Sequence, residues 1–152
     1  MGALDGIKVL DLSRVLAGPY CGQMLADNGA SVIKVESPGG DLNRTFPHAI
    51  GGGQTSNWLC VNRGKKDITL NLKSPKALEL LDALVAKMDV VIQSFLPDTA
   101  EKLGVGYDRL RNLNPDLIYC SVSGYGAKGP LRNKAGYDAM VAAYSGVFGL
   151  TG

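Results

Sequence analysis

Short apolar runs alternate along this chain with segments of helical periodicity, and no other feature of the sequence restricts the fold as strongly. Runs of about four to eight mainly apolar residues are typical of buried strands, whereas apolar residues three and four apart predict helices. Strands that alternate with helices indicate an α/β fold with an open, mostly parallel, doubly wound sheet. The predicted core strands are residues 7–12, 31–36, 89–93 and 117–122.

The first of these strands begins a β-α-β unit. Pro19 stands where a helix favours a proline in its first turn, and Gly29 is a suitable residue to end that helix. Cys21, Met24 and Leu25 share one helical face, which predicts that this face packs on the sheet. A helix between two parallel strands implies a right-handed crossover.

The helix predicted from Pro75 has the clearest periodicity in the chain. Ser74 is a suitable N-cap, and the proline after it suits the first helical position. Helical spacing predicts one apolar face made of Ala77, Leu80, Leu81, Leu84, Val85 and Met88.

Three further helices are predicted with weaker signals. They lie near residues 98–103, over Tyr107–Leu113, and from Tyr137 onward. The last of them has an apolar face made of Met140, Tyr144 and Val147.

The loops between these elements indicate where a ligand would bind. Residues 37–66 are rich in glycine and are predicted to be irregular, whereas the alternation over 67–72 predicts a half-exposed strand. In doubly wound sheets, ligands bind at the carboxyl ends of the strands. The predicted loops at those ends are 13–18, 93–98 and 123–136.

The composition excludes several classes of protein. The 152 residues suit one domain, and 16 basic against 14 acidic residues give a net charge of +2, too small to indicate a nucleic-acid partner. No apolar run approaches the roughly 18 residues of a membrane span. Three cysteines without CxxC spacing indicate a reducing compartment, either the cytoplasm or a mitochondrial or peroxisomal matrix. Because His48 is the only histidine, no metal site of His and Cys is expected.

Residues 124–129 form a literal GxGxxG directly after a predicted strand, a pattern found in dinucleotide sites. The third glycine of such a motif should open a helix, but Pro130 follows it and the chain stays irregular through Lys134. The motif also follows the fourth predicted strand rather than the first. We therefore expect no NAD or flavin, although a nicotinamide-dependent oxidoreductase stays open as an alternative.

Six motifs stand in order along nearly the whole chain. They are Leu4–Ser13, Leu16–Pro19, Gly29–Glu36, Asn62–Lys66 with Leu70–Lys73, Ser121–Gly126 with Gly129-Pro130, and Gly136–Ala139. As an ordered set they resemble the family III CoA-transferases, the CaiB/BaiF family.

This resemblance implies an architecture and an activity. It implies a Rossmann-like large domain, and residues 1–152 would form the N-terminal part of that domain. It also implies a small domain and a returning C-terminal segment, both outside this chain. The implied assembly is a homodimer of interlocked chains. The implied reaction moves coenzyme A between an acyl-CoA and a carboxylic acid through covalent intermediates on an aspartate. That aspartate is expected beyond Gly152, so the chain alone is expected to be inactive.

The resemblance also implies contacts with coenzyme A. Val15, Leu16 and Ala17 match the segment whose backbone meets the cofactor after the first strand. Leu70 matches a position beside the adenine, and Lys73 matches one beside the phosphates, where a cation suits the charge.

Three more positions follow from the same resemblance. Phe95 matches an aromatic residue beside the ligand, Lys102 stands where members often have arginine, and Tyr137 matches a tyrosine near the thioester. The residues alone also allow simpler interpretations: Leu70 and Phe95 as core residues, Lys73 as a surface charge, and Tyr137 as a first-turn helix residue.

The sequence departs from the family pattern at several positions. Ser37 falls where some members place a phosphate-binding arginine, and residues 94–98 read SFLPD rather than NFRPG. In related 2-methylacyl-CoA racemases a histidine acid/base precedes the position of Asp138, whereas here that residue is Tyr137, and a tyrosine is poorly suited to acid/base work near neutrality. The transferase is therefore favoured over the racemase, and a non-catalytic CoA-binding module stays open.

Overall fold

The computed structural model describes residues 2–151, and its main sheet has five parallel strands in the order β5-β2-β1-β6-β7. The apolar runs produce this sheet because strands with helices on both faces must be apolar on both sides. Its strands are β1 (Lys8–Asp11), β2 (Ser31–Glu36), β5 (Lys66–Thr69), β6 (Val90–Gln93) and β7 (Ile118–Ser121); a separate hairpin is formed by β3 (Ala49–Gly51) and β4 (Gln54–Thr55). The predicted α/β fold with a mostly parallel sheet is confirmed.

Helices connect the strands and pack on the sheet. The structure contains α1 (Ala17–Asp27), α2 (Ser56–Cys60), α3 (Pro75–Val85), α4 (Pro97–Lys102), α5 (Tyr107–Leu113), α6 (Asp138–Tyr144) and α7 (Val147–Thr151), and a short 3-10 helix at Leu42–Thr45. The helices predicted from Pro75 and over Tyr107–Leu113 begin where the sequence places them. Proline fixes the start of α3 because its missing N–H is not needed in the first turn.

Two apolar cores lie on the two faces of the sheet, as a doubly wound architecture requires. Alternate residues of each strand point to opposite faces, so Val9 joins one core and Leu10 the other. The side chains of α1 pack on the first core, and those of α3, α4 and α5 pack on the second. The strand order reverses between β1 and β6, which places a topological switch point at the centre of the sheet.

Several sequence predictions about local structure are wrong. Residues 37–66 are not irregular throughout, because they contain the 3-10 helix, the β3-β4 hairpin and α2. β7 is an edge strand rather than a fully buried one, and Ile118 on it is exposed. Val147 belongs to α7 rather than to the helix that begins near Tyr137. The residues of the predicted apolar helical faces that are exposed are Met24, Leu80, Met140, Tyr144 and Val147.

Candidate functional site

A cleft of about 270 Å³ opens at the carboxyl ends of β5, β2 and β1. Parallel strands bring these ends to one edge of the sheet, where the loops that follow them line the opening. The floor is apolar and the rim is polar. The lining residues are Leu12, Ser13, Arg14, Val35, Glu36, Ser37, Gly40, Asp41, Leu70, Asn71, Leu72, Lys73, Phe95 and Leu103.

The cleft brings together part of the predicted site. Leu70, Lys73 and Phe95 all line it, although they follow two different strands. Val15, Leu16 and Ala17 do not line the cleft themselves, but they follow directly on Arg14, which does, and they lead into α1. Predicted positions on two segments therefore line the cleft, and the third segment begins beside it.

Two predicted site residues lie elsewhere. Lys102 is the last residue of α4 and is exposed, and it does not line the cleft. Tyr137 precedes α6 as its N-cap residue, is 66% exposed, and does not line the cleft either. Within residues 2–151, neither of these two side chains contributes to the lining of the cleft.

Two cationic side chains at the rim of the cleft, Arg14 and Lys73, have no carboxylate partner among residues 2–151. Both side chains are exposed. The acidic residues of the lining are neutralised by other partners, Asp41 by Lys34 and Glu36 by Arg44. An apolar floor with cations at the rim suits a ligand that has both a flat apolar part and phosphate groups.

The loop after β1 contains a strained residue. Val15 has φ of +68°, in the left-handed region that β-branched residues rarely occupy, at a cost of about 1–3 kcal/mol. Both of its backbone polar groups are taken by side chains: its N–H donates to the Asp41 carboxylate, and its carbonyl accepts from the Asn43 amide at 2.8 Å. Strain of this kind persists only where surrounding contacts enforce it, and it is concentrated at functional sites.

A buried ion pair supports that loop. Lys34 Nζ lies 3.1 Å from Asp41 Oδ2, and both side chains are 1% exposed. The same ammonium donates to the carbonyl of Ser13 at 2.9 Å, so Lys34 connects β2 both to the loop two residues before Val15 and to Asp41, which accepts from Val15. A buried charge requires such a partner, because burying an unpaired charge would destabilise the folded state by more than its total stability.

A second polar cluster fixes the backbone next to Asp41. Glu36 accepts two hydrogen bonds from Arg44, one from Trp58 Nε1 at 2.8 Å, and one from the Asp41 N–H at 2.9 Å. Burial alone would raise the pKa of the Glu36 carboxyl, but these hydrogen bonds outweigh it and hold that pKa below its ordinary value. Glu36 therefore stays ionised and keeps the turn before the 3-10 helix in place.

The beginning of the same loop is held by Asp11. Its carboxylate accepts from the N–H of Ser13 at 3.0 Å and from the Ser13 hydroxyl, and it pairs with Lys65 at 2.8 Å. Burial lowers the pKa of the Lys65 ammonium, an effect that the Asp11 carboxylate opposes. Buried charges on both sides thus fix the path of the chain from β1 into α1.

Sequence reasoning missed this supporting set of charged and amide residues. A signal was present, because Lys34 and Glu36 interrupt an otherwise apolar strand and both are buried. A charged residue in a core strand indicates that a partner must lie close to it. The supporting residues are Asp11, Lys34, Glu36, Asp41, Asn43, Arg44 and Lys65.

Glycine at position 18 is required by the close approach of α1 to the loop. A Cβ atom added to Gly18 would collide with the side chain of Ser13, which is buried. The first turn of α1 can lie against Ser13 only because position 18 has no side chain.

We expect Gly18→Val to lower the free energy of unfolding by about 1–3 kcal/mol, because the added methyl groups must displace either α1 or Ser13. Urea unfolding followed by circular dichroism measures the loss. Gly39→Val is the matched control, since a Cβ atom there would come no closer than 4.0 Å to its nearest neighbour, Ser37 Oγ. Equal stability of the two variants would contradict the close packing at position 18.

The GxGxxG segment forms a closed loop rather than the start of a helix. No helix is assigned between β7 and α6, so Gly129 opens none. Gly124 and Gly136 touch at the base of this loop, where neither has room for a side chain. Arg132 and Asn133 both donate to Asp98 at 2.7 Å and fasten the loop to α4. The loop geometry differs from that of a dinucleotide fingerprint.

Residues 2–151 contain neither a metal-binding cluster nor a membrane-spanning helix. No cluster of three or more His, Cys, Asp or Glu side chains there could hold a metal ion. None of the helices in that range is long and apolar enough to cross a membrane. Burial raises the pKa of the Cys21 thiol, as does the nearby Cys120, so Cys21 is a poor nucleophile at neutral pH.

The fold is a Rossmann-like α/β arrangement with a cleft at the carboxyl edge of its sheet. The profile of CoA-transferase family III matches residues 4–152. The chain belongs to CoA-transferase family III.

Similar proteins agree with this assignment. The chain is 45% identical to human succinyl-CoA:glutarate CoA-transferase over 150 residues, which are 98% of this chain and 34% of the human protein. It is 47% identical to succinate–glutarate CoA-transferase of Agrobacterium fabrum, covering 98% of this chain and 39% of that protein. A crystal structure of a CaiB/BaiF family protein from Brucella suis matches with a TM-score of 0.91 and 45% identity, covering 96% of this chain and 40% of that one.

The chain spans about a third to two fifths of the length of these relatives. Solved structures of much lower sequence identity also resemble this fold. A betaketoacyl-ACP reductase structure matches with a TM-score of 0.50 and 12% identity, which shows a shared fold and nothing further.

Proposed function

We propose that the cleft at the ends of β5, β2 and β1 binds coenzyme A, as part of a protein that transfers CoA from an acyl-CoA to a carboxylic acid. Membership of CoA-transferase family III supports this proposal. The single observation that carries it is the convergence of Leu70, Lys73 and Phe95 on one cleft, because the family resemblance assigns all three to CoA.

The character of the cleft suits one end of coenzyme A. Leu70 and Phe95 offer apolar surface to the adenine ring, and Lys73 stands at the rim where a phosphate would lie. Pockets that enclose a drug-sized ligand run from about 300 to 1,000 Å³, so a cleft of about 270 Å³ suits part of so large a cofactor. The pantetheine arm would leave the cleft along residues 15–17.

The donor and acceptor that we propose are small dicarboxylic compounds. Several relatives are named for succinyl-CoA as donor, with glutarate, D-citramalate or mesaconate as the other partner. We therefore propose succinyl-CoA as the donor and a dicarboxylate of about four or five carbons as the acceptor. The reaction would use an aspartate outside this segment as nucleophile, forming an anhydride and then an enzyme thioester.

The organisation of the whole protein is part of the same proposal. Residues 1–152 would form the N-terminal part of a large domain, joined by a small domain and a returning segment, in a homodimer of interlocked chains. Lys102 and Tyr137, which do not line the cleft, would contact CoA only within that larger assembly, with Tyr137 near the thioester. The compartment would be the cytoplasm or an organelle matrix.

Two measurements test the proposal. Calorimetric titration should show binding of CoA, and NADH added under the same conditions should give no heat of binding. The protein incubated with succinyl-CoA and glutarate should form glutaryl-CoA if it carries the nucleophile. Binding of NADH with no binding of CoA would overturn the assignment of the cleft, whereas exchange of deuterium at C2 of a 2-methylacyl-CoA without CoA transfer would favour a racemase.

Lys73 should contribute to affinity through its charge. We expect Lys73→Ala to raise the Kd for CoA about five- to tenfold, because it removes a cation from the rim beside the proposed phosphates. The effect should shrink as salt is added, since exposed charges are screened.

Lys76→Ala is the matched control, because it removes the same charge from an exposed position on α3 that does not line the cleft. Adenosine, which has no phosphate, should bind both variants equally. An equal loss of CoA affinity in both lysine variants would contradict the placement of the phosphates beside Lys73.

A further inference from the structure

We propose that Asp41 is a positioning residue that holds Val15 in its left-handed conformation and thereby sets the path of residues 14–17 along the cleft. The proposal rests on the proposed function where it concerns CoA, because residues 15–17 are then the segment beside the cofactor. Asp41 itself acts through Val15 and is not proposed to touch the thioester.

The conformation of Val15 needs an external cause. Among the non-glycine residues of 2–151, only Val15 and His48 have positive φ, and valine is the less tolerant of the two because it branches at Cβ. A valine released from its contacts would return to the extended or right-handed region. Such a change would rotate the peptide groups on both sides of it and redirect Arg14 and Leu16.

The Asp41 carboxylate provides that cause. The N–H of Val15 lies 3.1 Å from one carboxylate oxygen of Asp41 and 3.2 Å from the other. The Asn43 amide donates to the carbonyl of Val15 at 2.8 Å. Both polar groups of Val15 are therefore held by side chains 26 and 28 residues further along the chain.

Asp41 is itself rigidly placed. It pairs with Lys34, accepts from the N–H of Asn43 at 3.0 Å as the N-cap of the 3-10 helix, and donates its own N–H to Glu36. Each of these partners is buried, so a carboxylate that turned away from Val15 would have to give up these contacts as well. Because the Val15 N–H donates to both carboxylate oxygens of Asp41, the position of Asp41 determines the position of Val15 beside the cleft.

The other side of the loop is anchored to the cleft wall. The N–H of Arg14 donates to Ser94 Oγ at 2.9 Å, next to Phe95, which lines the cleft. Residue 14 is thus tied to the end of β6, and residue 15 to the turn after β2. Loss of the contact between Val15 and Asp41 would change where the chain enters α1. The contact of Arg14 with Ser94, and the cleft wall that contains Phe95, would stay in place.

The test uses Asp41→Asn, which keeps a similar shape but weakens the contact with Val15 and removes the charge. We expect it to raise the Kd for CoA about tenfold, the scale of the strain that the contact offsets. Hydrogen exchange in residues 13–18, measured by mass spectrometry without CoA, should become faster, because the Val15 N–H loses its best acceptor.

Val15→Gly distinguishes positioning from general stability. Glycine adopts positive φ without steric cost, so it does not need the enforcing contact. In the Val15→Gly background, adding Asp41→Asn should therefore change the Kd for CoA by less than about threefold, whereas the same substitution beside Val15 raises it about tenfold.

The matched control is Asp82→Asn, which removes the same charge from the ion pair with Arg109, away from the cleft. Asp82→Asn should leave hydrogen exchange in residues 13–18 unchanged. Adding Val15→Gly to Asp82→Asn should not lower the Kd for CoA. If Asp41→Asn does not fold, Asn43→Ala replaces it, because it keeps the Lys34–Asp41 pair and removes the amide that donates to the Val15 carbonyl at 2.8 Å and to the Asn57 carbonyl at 3.3 Å.

The two readouts separate this proposal from the proposed function. Unchanged exchange in residues 13–18 in both Asp41→Asn and Asn43→Ala would overturn the positioning role, whatever the affinity for CoA. Faster exchange in a protein that does not bind CoA would support the positioning role and contradict the proposed function. A loss of affinity on adding Asp41→Asn that is as large in the Val15→Gly background as beside Val15 would also overturn it.

Discussion

Lys34→Met is expected to lower the free energy of unfolding by about 3–5 kcal/mol, because it leaves the carboxylate of Asp41 buried without its cation. The two side chains are 1% exposed, so water cannot replace the lost ammonium unless the loop opens. The variant also removes the donor to the Ser13 carbonyl. Urea unfolding at constant pH measures the change.

The control for this prediction is Lys66→Met. Lys66 is exposed on β5, and its replacement should change stability by less than about 0.5 kcal/mol. Adding Asp41→Asn to Lys34→Met should restore part of the loss, since no unpaired buried charge is left. A loss below about 1 kcal/mol for Lys34→Met would contradict the burial of the pair.

The sheet could be predicted from the sequence because short, mainly apolar runs mark four of its five strands, β1, β2, β6 and β7. The apolar run at 31–36 coincides with β2, and strands that alternate with helices lead to a parallel sheet by handedness rules alone. The carboxyl edge as the ligand site follows from the same topology. Leu70, Lys73 and Phe95 could be identified only through family resemblance, since each has a simpler structural interpretation.

The support of the site could not be predicted, for a physical reason. Lys34 and Asp41 meet because the chain turns back after β2, and the geometry of that turn depends on the 3-10 helix that Asp41 caps. The left-handed conformation of Val15 likewise depends on residues 41 and 43, which no local pattern connects to it. Contacts of this kind require three-dimensional information.

The same limit applies to the helix with the clearest periodicity. Leu80 and Leu81 both belong to the predicted apolar face of α3, yet Leu80 is 58% exposed and Leu81 is fully buried. Successive residues on a helix point about 100° apart, so a wide apolar stripe cannot all face the sheet. The position of α3 over the sheet decides which edge of the stripe is covered, and the sequence does not contain that position.

These two neighbouring leucines allow a direct test of that packing. We expect Leu81→Ala to lower the free energy of unfolding by about 2–5 kcal/mol, because it leaves a cavity in the core that includes Leu10, Val91 and Leu110. Leu80→Ala makes the same chemical change on the same helix and should alter stability by about 0.5 kcal/mol or less. Urea unfolding of both variants under identical conditions measures the difference. A loss for Leu80→Ala that approaches the loss for Leu81→Ala would show that a further surface covers this side of α3, because helix propensity alone makes alanine no worse than leucine at either position.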